Sequence, residues 1–411
     1  MKLPQYAVSF MFWLHAKQKM SSIAVTDYRI LSSDPQTLPA SLVAPAVPGF
    51  SILMATRYGR LGASSRLRLL QYCADMTRAG LRTTIRAFFS DGYVRALYGH
   101  GARLPRALAA YLRAGSLFRM VRTHDLVWIE KELLPFLPYR LEKSLLGDVP
   151  YVLDFDDPWF LRYENAPSRL VRWLLGDKFS RLVAGAALTI VANESLRDWA
   201  IQAGAREVLL LPTVIDLDRY GLTPEPDASH KFTIGWIGTP VTAPYLQSLA
   251  EPLRILAAEA PLELLIIGAP DCTIEGVDCR HVDWSEASEA EMLSQCHVGI
   301  MPLPDNEWAR GKSGYKLIQY MAAGRPMVAS PVGANRAIVN DGKTGFLAAS
   351  TDEWCDSLRI LRDDKMLRRK LGAAAHARVA EAFSLGVTAP QLIAALSAAY
   401  QSNRTLNPAS L

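Results

Sequence analysis

One run, Arg310-Gly-Lys-Ser-Gly-Tyr-Lys-Leu-Ile-Gln-Tyr-Met-Ala-Ala-Gly-Arg-Pro-Met-Val-Ala-Ser330, gathers most of the groups that could do chemistry. Gly311 and Gly314 let the backbone come close to a ligand, and Lys312 and Lys316 put positive charge beside it. A helix starting near Gly314 would aim its free N–H groups and its dipole at the same spot. A phosphate-bearing ligand fits such a loop. The competing reading is an ordinary loop-to-helix connection with solvated lysines, since glycine-rich loops are common. Leu317, Tyr320 and Met321 share one helix face at i, i+3, i+4 spacing. Gly324 then stops the helix and Pro326 opens a buried strand.

Asp154-Phe-Asp-Asp-Pro158 is the second constellation. Its Asp-x-Asp could bind Mn²⁺ or Mg²⁺, but the phosphate-type loop lies far downstream, which argues against a metal. Three crowded carboxylates should raise at least one pKa and could orient a hydroxyl. Helix capping by Asp156 or Asp157 is the alternative. Glu130-Lys-Glu132 closes the preceding strand and should edge the same cleft. Gly59-Arg-Leu-Gly62 and Gly238-Thr-Pro-Val-Thr242 each follow a strand, where nucleotide-binding folds bring backbone close to a ligand. Asn193 caps the next helix or contacts a ligand. His281 and His297 read as structural.

These residues need a frame to hold them. Apolar runs at 51–56, 83–88, 126–130, 151–155, 188–192 and 208–212 alternate with leucine-rich helical segments, as in a parallel sheet covered on both faces. Ser64 or Ser65 is placed to cap the first helix. A second series starts at 232–237 and continues at 262–267, 298–302 and 327–330. Between the series, 216–230 is polar and carries Pro224 and Pro226, so it reads as an interdomain linker. Helices are predicted over 365–382 and 390–400.

Gln319-Tyr-Met-Ala-Ala-Gly-Arg-Pro-Met-Val328, with the Gly-Lys before it, resembles the nucleotide-sugar signature of glycosyltransferase family 4. The common form of that signature reads Glu, seven residues, Glu; here Gly311 and Gln319 occupy the two positions. The match is to a branch with Gly-Lys...Lys-Leu-x-Gln-Tyr-Met-Ala. The resemblance implies an α/β protein of the GT-B fold: two Rossmann-like domains facing across a cleft, with a C-terminal helix crossing back to the first. It assigns 51–222 to an acceptor-side domain, 231–385 to a nucleotide-sugar domain, and 386–411 to the crossover helix and tail. Donor contacts fall on Gly62, Gly238, Thr239, Arg310, Lys312, Ser313, Gly314, Tyr315, Lys316 and Gln319. Relatives often carry an Arg and a Lys near the 238–242 loop, and Lys312 is the expected substitute. Gln319 would hydrogen-bond ribose hydroxyls. Glu130, Asp156 and Asp157 stand on the acceptor side, with Asp157 and Lys312 in catalytic roles. The implied activity is a retaining, metal-independent, hexosyltransferase-like reaction. It has no cofactor beyond the nucleoside-diphosphate-sugar donor, and its acceptor is a polysaccharide or lipid-linked intermediate. A catalytically silent nucleotide-sugar-binding partner, and an epimerase or hydrolase, are the alternatives.

Composition bounds the rest. A chain of 411 residues, 50% hydrophobic and 21% charged, is globular and long enough for two domains. The net charge of +5 is unevenly spread: thirteen arginines from Arg57 to Arg122 face only Asp75 and Asp91. That skew suits anionic lipid headgroups or phosphorylated carriers, or reflects a preference for arginine. Nucleic acid is not expected, since no recognised module accompanies the charge. Five cysteines, an odd number, read as free thiols in a reducing compartment. No run reaches the roughly 18 apolar residues of a membrane helix, so the expectation is a cytoplasmic protein, peripheral on the inner membrane face. Residues 7–14 weakly resemble a short signal or an interfacial anchor, and 32–49 read as a linker. Residues 1–50 are therefore an extension, or the product of an upstream start with Met20 or Met54 as the true one.

Overall fold

A computed structural model describes residues 29–31, 49–98, 101–226 and 231–406. The expectations for residues 7–14, for Met20 and for 32–48 lie outside these residues. Seven strands form the first sheet: β1 (Arg29–Leu31), β2 (Ser51–Thr56), β3 (Arg82–Ala87), β4 (Leu126–Glu130), β5 (Tyr151–Phe155), β6 (Leu188–Val191) and β7 (Glu207–Leu210). Their spatial order is β1-β7-β6-β5-β4-β2-β3, and every pair is parallel. The central strands β4, β5 and β6 are buried along their whole length, as expected of a sheet covered on both faces. Arg29–Leu31, within the stretch read as an extension, pairs with β7 and contributes an edge strand. Met54 sits fully buried inside β2, so a start there would remove the first half of that strand.

The second sheet contains β8 (Phe232–Ile237), β9 (Leu262–Ile267), β10 (Asp278–Val282), β11 (Val298–Met301), β12 (Met327–Ala329) and β13 (Gly345–Leu347). Its order is β10-β9-β8-β11-β12-β13, again all parallel. This is the doubly wound arrangement in which the winding reverses between β8 and β11, leaving a crevice outside their carboxyl ends. In the first sheet the reversal falls between β2 and β4. Both crevices face the seam between the domains.

The linker is held to the second domain. Tyr220 is buried in that core and donates to Glu289, while Arg325 donates to the carbonyls of Thr223 and Pro224. Helix Leu385–Leu406 returns to the first domain: Leu392, Leu396 and Ala399 share a core with Ile52, Met54 and Trp128. Tyr400 stacks on Phe50 with ring centroids 4.5 Å apart, and the Tyr72 hydroxyl lies 3.1 Å from that of Thr388.

Candidate active site

On the first-domain side, the ends of β2 and β4 define the crevice. Lys131, directly after β4, adopts φ +64°, a left-handed conformation costly for a residue with a side chain. Its surroundings hold it there: Nζ donates to Ser64 Oγ at 2.8 Å and pairs with Asp156 at 3.1 Å, with the Trp159 ring 5.1 Å away. Glu130 is fully buried; its Oε2 accepts from Arg57 N at 2.8 Å and from Ser65 Oγ at 2.5 Å. Ser64 and Ser65 therefore do not cap the first helix, because both hydroxyls are drawn into this cluster. Glu132 is buried too, between Arg57 and Lys178, each at 2.6 Å. Burial pushes the Glu132 carboxyl up, but those two cations outweigh it and hold it below the usual range. Glu130 and Glu132, expected to edge the cleft, support its floor from beneath.

The three aspartates separate by partner. Asp154 is fully buried against Arg68 at 2.8 Å, and burial pushes its carboxyl up to about 6 despite that cation. For Asp156, burial is outweighed by Lys131, and the carboxyl stays below the ordinary value. Asp157 alone turns outward, and its Oδ1 lies 3.8 Å from Lys312 Nζ of the second domain.

On the second-domain side, Gly314 is the N-cap of helix Tyr315–Ala322, with φ +72° and no side chain closing the helix start. The open N–H groups therefore remain available to an anion. Leu317, Tyr320 and Met321 are fully buried, as their spacing predicts. Tyr320 anchors the helix across the winding reversal, accepting from Ile237 N at 3.1 Å and donating to Ile300 O at 3.2 Å. Lys316 is half-buried, 5.3 Å from the Trp236 ring. Burial first, and the charge of Lys312 second, push its ammonium down to about 7. Gln319 is 5% exposed, and its carboxamide has no hydrogen-bond partner among the described residues.

The close approaches of the two loop glycines are to protein. A Cβ on Gly311 would sit 2.7 Å from the Pro158 ring of the first domain, and one on Gly314 would strike Ile338. Gly311 is thus an interdomain contact. Asn193 caps its helix, Oδ1 accepting from Leu196 N, and its Nδ2 donates to Lys312 O at 2.9 Å, a contact with the other domain. Gly238 packs under Trp236, and Thr239 is exposed in a turn closed by the Thr242 hydroxyl. Gly62 packs on Tyr58. Ser313 and Tyr315 are half-buried beside Lys312, whereas Arg310 is exposed and pairs with Asp305 at 2.6 Å. His297 is buried and structural, bridging Thr233 N and Pro226 O.

Sequence reading gave three participants no role of their own. Lys131 carries its signal only in a backbone angle. Glu286 gathers Arg60 at 2.8 Å and Arg66 at 3.9 Å from the first domain and Arg219 at 3.3 Å from the linker. Pro158 serves as the seat for Gly311.

Comparison with known proteins follows this geometry. Residues 231–364 match the family described as Glycosyl transferases group 1. D-inositol 3-phosphate glycosyltransferase of Streptomyces avermitilis is 38% identical over 204 residues, covering 49% of this chain and 38% of that protein. Phosphatidyl-myo-inositol mannosyltransferase of Mycobacterium leprae is 25% identical over 210 residues, covering 46% and 53%. The chain thus spans about half, or less, of the length of the curated relatives it matches. Sucrose-phosphate synthase of Thermosynechococcus elongatus superposes with a TM-score of 0.59 at 14% identity, covering 88% of this chain and 100% of that one. Anabaena HepE in complex with UDP-glucose gives 0.58 at 15%, covering 84% and 98%. The architecture is the GT-B fold.

Proposed function

We propose that the chain transfers a sugar from a nucleoside-diphosphate-sugar to an acceptor hydroxyl across the interdomain cleft. The observation that carries this is the open helix start at Gly314, flanked by Lys312 and Lys316 and followed one turn on by the unpartnered Gln319 carboxamide. The diphosphate would lie on the helix N–H groups and Lys312, with Gln319 on the ribose hydroxyls. Chemistry in such a site is positioning plus stabilisation of charge on the departing diphosphate. The two ammonium groups supply the charge a divalent cation would otherwise supply, in a metal-independent reaction. Asp154 and Asp156 are already held by Arg68 and Lys131. Asp157 moves from Lys312 to the acceptor hydroxyl once phosphate replaces it. Retention of anomeric configuration belongs to the same reading. The names of the inositol-directed relatives support a polyol or lipid-linked acceptor, and hence cell-surface polysaccharide or glycolipid synthesis on the cytoplasmic side of a membrane.

A thermal-shift screen with UDP, GDP, ADP and CMP and their sugars tests it. A nucleotide at about a hundred times its Kd should add roughly 2.7 kcal/mol of stability to wild type. Lys312→Ala should abolish the shift. If no nucleotide shifts the melt, the donor site is wrongly placed. Gly311 packs on Pro158 where the family's first glutamate would stand, which favours the silent-partner reading if binding occurs without turnover. Epimerisation of the nucleotide-sugar without acceptor would replace transfer altogether.

A further inference from the structure

The first domain carries a surface that the described residues leave exposed. Helix Arg103–Arg113 buries only Ala110, with Ala107 and Tyr111 half-covered. Its large apolar side chains point the other way: Leu104, Leu108 and Leu112 are 80%, 60% and 77% exposed. Spaced i, i+4, i+8, they form one continuous strip along the helix. Phe118, on the next helix Gly115–Arg122, is 46% exposed, with the Arg122 guanidinium 4.0 Å from its ring.

The charge around this strip has one sign. Residues 101–124 hold five arginines and no carboxylate. Among the described residues none of the five has an ion-pair partner; Arg103 and Arg106 donate only to the carbonyls of Ala96 and Ala102. By contrast Arg57, Arg60, Arg66 and Arg68 are all paired with carboxylates. Of the thirteen arginines of the skew, these four are tied to carboxylates, whereas the five of residues 101–124 are exposed and rim the leucines. An apolar strip bordered by uncompensated cations is the pattern of a helix lying in the plane of an anionic bilayer.

We propose that helices Arg103–Arg113 and Gly115–Arg122 dock this protein on an anionic membrane surface, the leucine strip entering the acyl boundary and the arginines engaging headgroup phosphates. The geometry places that surface near the cleft. Tyr111 donates at 2.7 Å to the carbonyl of Pro135, in the loop after β4 that begins at Lys131. A lipid-borne acceptor would therefore meet the protein on the Asp157 side. The docking argument stands on exposure and charge and does not depend on the transferase reading.

Flotation of the full chain with vesicles tests it. Wild type should float with phosphatidylcholine vesicles containing phosphatidylglycerol and stay behind with phosphatidylcholine alone. The triple variant Leu104→Gln, Leu108→Gln, Leu112→Gln should partition about tenfold less. Arg106→Gln with Arg113→Gln should weaken binding mainly at low salt. Since all these side chains are exposed, melting temperatures and nucleotide-induced shifts should not change, which separates this result from any failure of the donor site. Failure of wild type to float overturns the proposal. So does undiminished flotation of the triple variant, or transfer of the effect to Leu170→Gln with Trp173→Gln, exposed apolar side chains at 66% and 79% elsewhere in the first domain. Concentration-dependent self-association that the triple variant abolishes, without flotation, would assign the strip to a second copy of the chain instead.

Discussion

Lys316 is poised where a small change in surroundings decides its charge. Its ammonium is pushed down to about 7, whereas the unfolded chain titrates near the ordinary lysine value. Across that window the unfolded chain holds more protons, so the contribution of this group to stability rises with pH and is least below about pH 7. A bound diphosphate would keep the ammonium charged, so binding at pH 8 should take up close to one proton. Calorimetry in two buffers of different ionisation enthalpy measures that uptake, and Lys316→Met should eliminate it. No uptake by wild type would place the phosphate elsewhere. Gly314 offers a stability test at the same helix start. With φ +72° and Ile338 against the position of a Cβ, Gly314→Ala should cost about 1–3 kcal/mol in denaturant unfolding.

Among the elements, the crossover helix binds the two ends of the chain into one core. Leu396 is fully buried among first-domain strands, so Leu396→Ala should lower stability by about 2–5 kcal/mol, read from the urea midpoint at constant slope. That helix, the long apolar strands and the glycine-framed helix start were all legible in the sequence, because each rests on local periodicity or a stop signal. Asp278–Val282 was not. An edge strand reading Asp-Cys-Arg-His-Val, half exposed, carries no apolar pattern to find. Gly345–Leu347 is too short to show one. In the candidate site, Lys312 and Lys316 were visible from the glycine-lysine loop, and Gln319 from the family resemblance. Ser64 and Ser65 looked like caps, and only the tertiary contact of Lys131 and Glu130 reassigns them. Glu286 was invisible for a similar reason: its partners lie more than 60 residues away in sequence.

For the whole molecule, a set of polar and close-packed contacts spans the cleft between the domains. Pro158 meets Gly311, Asn193 meets the Lys312 carbonyl, Asp157 meets the Lys312 ammonium, and Glu286 collects two first-domain arginines. Glu286 is partly exposed, so each of its pairs contributes little stability, on the order of 0–1 kcal/mol. Glu286→Ala should therefore leave the melting temperature nearly unchanged while raising the radius of gyration seen by X-ray scattering, as the domains open. An unchanged radius would mean the other contacts suffice. The stacking of Tyr400 on Phe50 has a consequence for how the protein is born. Phe50 leaves the ribosome roughly 350 residues before its partner, and at roughly 5–20 residues per second that is a wait of about 20–70 s. Throughout that interval the face of the first sheet holding Ile52, Met54 and Trp128 lacks the part of its cover that this helix supplies. Until that helix emerges, the nascent chain presents apolar surface of the kind that aggregates.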